Sequence, residues 1–68
     1  MKVQEVKGRM VAKGIEGETL ARKMQMDPST FYRKMKAGGK NFTVENLQIM
    51  KKELELDNEQ AVDLLILS

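Results

Sequence analysis

Apolar residues recur at helical spacing along almost the whole chain, and no stretch alternates apolar and polar over the roughly four or more residues that a strand needs. The pattern predicts an all-helical protein of five short helices. Val3, Val6, Met10 and Val11 form a first stripe, which stops at Lys13-Gly14, a cation in the last turn followed by a residue free to take the left-handed backbone. Ile15 restarts the pattern, and Leu20, Ala21 and Met24 make one face of a second helix over about residues 17–25.

Asp27-Pro28 is the clearest helix start, because Asp accepts the orphan amide protons of a first turn and Pro at the first helical position has no donor to lose. The third helix, about 28–36, should turn Phe31 and Met35 inward and stop at Gly38-Gly39. Thr43 can cap a fourth helix carrying Val44, Leu47, Met50 and Leu54 on one face. Asp57 with Gln60 after it is a capping-box pattern for a fifth, carrying Ala61, Val62, Leu65 and Ile66.

Length and composition narrow the chemistry. Sixty-eight residues allow one domain, here expected over 1–68. With no Cys and no His, there is no candidate thiolate, disulfide, Cys/His zinc site or imidazole acid-base group. No nucleophile, base or metal cluster stands out beyond ordinary surface carboxylates, so neither catalysis, a cofactor, a metal nor a small-molecule ligand is expected. No apolar run approaches the roughly 18 residues of a membrane span, and Met1-Lys2-Val3-Gln4-Glu5 leads into no signal-peptide core, which suggests a cytoplasmic protein.

Charge changes the picture more. Residues 1–42 carry ten Lys/Arg against four acids, and residues 43–68 carry two Lys against six acids, so a basic half adjoins an acidic one. Residues 28–44 contain no acid while holding Arg33, Lys34, Lys36 and Lys40. Such a basic half points to a polyanion, of which nucleic acid is the commonest.

The turn Gln25-Met26-Asp27 is too short for anything but a steep crossing of the second and third helices, the geometry of a helix-turn-helix whose second helix can enter the major groove of DNA. At about 100° per residue, with Phe31 and Met35 inward, Ser29, Arg33 and Lys36 point most directly outward, with Thr30, Tyr32 and Lys34 on the flanks. Arg supplies a planar fork that fits guanine O6 and N7, Ser can donate to or accept from a base edge, and Lys36 can reach a base or a phosphate. Thr30 and Lys34 are expected to meet phosphates.

These residues also carry a family likeness. Residues 15–38, reading IEGETLARKMQMDPSTFYRKMKAG, resemble the helix-turn-helix of the lambda-repressor-like (Cro/CI, or XRE) family, especially its small phage members. Leu20-Ala21 with Met24, then Met26, Ser29-Thr30-Phe31 and Arg33 match its Leu-Ala, Leu, Ile, Ser-Thr-Ile/Leu and Arg pattern. The similar layout of one helix before and two after the motif extends the likeness over nearly the whole chain. The resemblance implies a transcriptional regulator that binds operator DNA, usually as a dimer. It assigns base contacts to Pro28, Ser29, Tyr32 and Arg33, and phosphate contacts to Gly17, Lys40 and Asn41. The chain departs from the family in three ways: Gly17 stands where a Gln or similar polar residue is common, Glu16 and Glu18 flank it with negative charge, and Gln25 replaces the usual turn Gly, so that the turn is either strained or of another shape.

The C-terminal helix has more apolar positions than one face buries. Leu64 and Leu67 lie off the arc of Ala61, Val62, Leu65 and Ile66, which suits a homodimer and, through it, two symmetric half-sites on double-stranded DNA. The competing function is a protein-interaction module, antitoxin-like or anti-repressor-like, using the same fold with its apolar tail and basic face on a protein. RNA is a weaker third partner, because exposed aromatics for base stacking are nearly absent.

Overall fold

Three side-chain caps set the helix starts. In the computed structural model, which describes residues 1–67, the Asp27 carboxylate accepts from the Ser29 N–H at 2.9 Å. Thr43 with Asn46 and Asp57 with Gln60 form reciprocal capping boxes. The resulting helices are Val3–Lys13 (α1), Gly17–Lys23 (α2), Pro28–Lys36 (α3), Val44–Glu53 (α4) and Asn58–Ala61 (α5), and α5 runs straight into a π-helical turn, Val62–Ile66. Among the described residues there is no strand, and no helix is long and apolar enough to cross a membrane. Ser68, the last residue of the domain expected from sequence, lies outside the described residues.

Four helix ends close in the same way. The N–H of Ile15 donates to the Met10 carbonyl at 2.9 Å, Met26 to Ala21 at 2.8 Å, Gly39 to Lys34 at 2.9 Å and Leu56 to Lys51 at 2.9 Å. Each bond spans a residue in the left-handed region: Gly14 (φ 67°), Gln25 (φ 56°), Gly38 (φ 86°) and Glu55 (φ 53°). This closure satisfies late carbonyls and folds the next residue back onto the helix. Ile15 and Met26 are accordingly half-buried and Leu56 buried. Of the two shapes open to the Gln25 turn, the chain takes the strained one, and Glu55 repeats it at the end of α4. A left-handed non-Gly residue costs about 1–2 kcal/mol, partly offset for Gly by the entropy it loses on folding. Gln25→Gly is therefore expected to stabilise the protein by up to about 1 kcal/mol, read as a higher urea midpoint at unchanged slope. A lower midpoint would mean that the Gln25 side chain contributes more than its backbone costs.

The core gathers all five helices. Val6, Leu20, Ala21, Phe31, Met35, Met50 and Leu54 are at most 3% exposed, and Met10, Met24, Phe42, Leu56, Ala61 and Leu65 complete the cluster. Phe31 sits at its aromatic centre, 5.6 Å from both Tyr32 and Phe42 by ring centroid. Arg9 joins α1 to the end of α4, its Nε donating to the Leu54 carbonyl at 3.0 Å and its Nη2 to that of Glu55 at 3.1 Å. Those carbonyls would otherwise be orphans of the helix terminus.

Several sequence expectations shift. Helix α2 ends at Lys23, short of 25, because Met24 already begins the closing turn. Val11 and Val44 leave their inward stripes and are 81% and 71% exposed. At the C-terminus the π-turn, with the Leu67 N–H reaching back to the Val62 carbonyl at 2.9 Å, advances less per residue than an α-helix and rotates the apolar arc. Leu64 thereby packs half-buried on the core, while Val62, Ile66 and Leu67 face outward. The Lys2 N–H donates to the Leu64 carbonyl at 2.8 Å, so the first residues cover the side where Leu64 lies. Leu64 is thus partly covered within its own chain, and Leu67 remains 55% exposed.

Candidate functional site

The outward face of α3 is assembled by its inward one. With Phe31 and Met35 buried, Ser29, Arg33 and Lys36 are exposed on the opposite side, Pro28 is exposed in the first turn, and Thr30 and Lys34 are half-buried on one flank. No carboxylate stands on the helix itself. The nearest is the capping Asp27, which accepts the Ser29 hydroxyl at 2.8 Å as well as the Ser29 N–H. These two bonds, the hydroxyl's first, hold the Asp27 carboxyl below the usual carboxylate range, so the cap stays ionised at neutral pH. They also commit the Ser29 hydroxyl proton, leaving its lone pairs outward as acceptors. Among the described residues Arg33 has a single long contact, 3.4 Å from Nη2 to the Thr30 hydroxyl, and no ion pair.

Tyr32 and Gly17, separate in the sequence, form one feature. The Tyr32 ring lies over the start of α2, and a β-carbon built at Gly17 would come within 2.7 Å of Tyr32 Cε1. Any side chain there would displace the ring, which gives a physical reason why Gly occupies this position. Gly17 is consequently buried and lies beneath the open surface, whereas Tyr32 remains 51% exposed beside Arg33. Glu16 and Glu18 flank this junction, both exposed and without an ion pair among the described residues.

The loop after α3 supplies the opposite flank. Gly38 and Gly39, with φ of 86° and 74°, turn the chain sharply, and exposed Lys40 and Asn41 follow. Lys34 Nζ donates to the Asn41 carbonyl at 3.0 Å, so its ammonium ties the loop to α3. The sequence reading of Lys34 as an independent phosphate contact misses this tether.

Lys2 pairs with Asp63 at 2.8 Å, Lys13 with Glu55 at 2.9 Å and Lys23 with Glu53 at 3.7 Å. Lys7, Arg33, Lys36 and Lys40 have no carboxylate within 4.0 Å among the described residues. Lys7 extends this set beyond the cations that the sequence singles out. It lines an open groove with Tyr32 and Lys36. The signal was present, since Val3, Lys7 and Met10 follow helical spacing and Lys7 therefore sits within the first apolar stripe.

A second surface is apolar. Val44, Leu47, Ala61, Leu65 and Ile66 line a shallow groove of about 170 Å³ between α4 and the π-turn, edged by Gln48 and Lys51. Ile66, 63% exposed, also borders a depression reaching Lys40 of the loop. No protein-family model, curated protein or solved structure matches this chain.

Proposed function

We propose that the protein is a sequence-specific double-stranded DNA-binding regulator on a lambda-repressor-like helix-turn-helix fold, with α3 entering the major groove. The observation that carries this reading is the outward face of α3, where Arg33 and Lys36 have no ion pair among the described residues on a helix without acid, joined to α2 by a four-residue turn. Arg33 reads guanine through its fork, and Lys36 reaches a base or a flanking phosphate. Ser29, its proton held by Asp27, accepts from the amino group of cytosine or adenine. Tyr32 and Pro28 offer apolar contact, and Thr30, Lys40 and Asn41 meet the backbone.

A salt titration on random and selected duplexes tests the reading. Binding should weaken linearly in log–log form with a slope of about −0.9 for each phosphate contacted. Lys40→Ala is expected to weaken all sequences alike and to flatten that slope by about one unit, because it removes a single phosphate contact. A loss confined to one sequence at unchanged slope would make Lys40 a base reader instead.

The apolar groove supports a homodimer, whose two recognition helices would address symmetric half-sites. Its shared border at Ile66 with the Lys40 depression sets this face next to the DNA-facing loop. A second reading, the protein-interaction module, is favoured by the exposed Glu16 and Glu18 beside a buried Gly17, an unwelcoming surface for phosphate. Salt-insensitive or absent binding to every duplex would select it.

A further inference from the structure

We infer that the groove between α1 and α3 is a second seat for the DNA backbone, in which Gln4, Lys7, Tyr32 and Lys36 hold a phosphate beside the bases that α3 reads. This rests on the DNA-binding reading above. The groove is open, about 500 Å³, with Val3 and Met35 as its floor and those four polar side chains around it. An amide NH₂, two ammonium groups and a phenol all donate, whereas phosphate oxygens only accept. No carboxylate of the described residues lines the groove. Glu5, the neighbouring acid on α1, lies within 3.9 Å of Lys2 Nζ, and Lys2 is itself bonded to Asp63.

Position selects the backbone over the bases. Lys7 and Gln4 stand on α1, across the groove from Tyr32 and Lys36 and off the outward line of Ser29 and Arg33. A helix seated in a major groove about 12 Å wide has sugar-phosphate strands on either side. On one flank of α3 the loop offers Lys40; on the other, α1 offers Lys7. The site also supplies an anchor where α2 has none, since Gly17 is covered and Glu16 and Glu18 repel phosphate.

The experiment compares Lys7→Ala and Lys7→Gln with Lys52→Ala, an exposed cation on α4 outside this groove. Each is titrated across salt on the selected duplex and on random duplex, with circular dichroism as the check on folding. Both Lys7 variants should weaken binding to the two duplexes alike and flatten the slope by about 0.9, so that the wild-type advantage shrinks about 3.5-fold between about 50 and 200 mM salt. The preferred base sequence should not change. Lys7 variants matching Lys52→Ala, while Arg33→Ala still loses affinity for the selected duplex, would overturn this seat and leave the DNA reading standing. Wild-type protein that binds neither duplex would overturn both.

Discussion

Replacing Arg33 by Ala is expected to lower affinity for the selected duplex by about 1–3 kcal/mol, roughly 5- to 150-fold, and to relax preference at one base pair. Folding should be unaffected, because the guanidinium is exposed and its contact with Thr30, at 3.4 Å, is too long to contribute much stability. Affinity for random duplex should fall far less, by one unit of charge. Arg33→Lys would restore the charge without the fork, so random binding should recover while discrimination does not. Isothermal titration and selection from a randomised duplex pool measure the two quantities separately. Unchanged affinity and an unchanged preferred sequence in Arg33→Ala would remove this residue from the site and, with it, the main support for α3 as a recognition helix.

What the sequence discloses here is whatever is local. The caps at Asp27, Thr43 and Asp57 are legible because donor and acceptor lie two or three residues apart, and all three form. The inward pair Phe31 and Met35 is legible because flanking polar residues leave only one apolar direction. Val11 and Val44 mislead because an apolar residue at the edge of a stripe has no phase of its own; the neighbouring helix decides whether it is covered. The role of Arg9 is not legible, since its partners are carbonyls 45 and 46 residues away. The burial of Gly17 depends on a ring arriving from another helix, which no spacing within α2 reveals. At the C-terminus a single wider turn redirects the whole apolar arc, so that Leu64 packs half-buried on the core, Leu67 stays exposed, and the open apolar groove is lined by Val44, Leu47 and Ile66.

That arrangement determines the variant with the second large effect. Leu64 packs partly on its own core, so Leu64→Lys would mix a loss of fold stability with any effect on association. Val44 and Ile66 are 71% and 63% exposed on the two rims of the apolar groove, and Lys at both positions leaves the buried core untouched. If this face joins two copies, the double variant should be a folded monomer with operator affinity near the non-specific level of roughly 10⁻⁴ to 10⁻⁶ M. The driving force is apolar surface that costs about 25 cal/mol per Å² while it stays in water, and the functional consequence is the loss of the second half-site. The added Lys residues raise the net positive charge, so simple electrostatics would strengthen DNA binding; a collapse in affinity would therefore report on the lost partner. Sedimentation of the wild-type and the double variant at tens of micromolar, with and without a selected duplex, reads the association directly. Wild-type protein that stays monomeric in both conditions would sink the dimer and leave the groove to another protein, as the interaction-module reading requires.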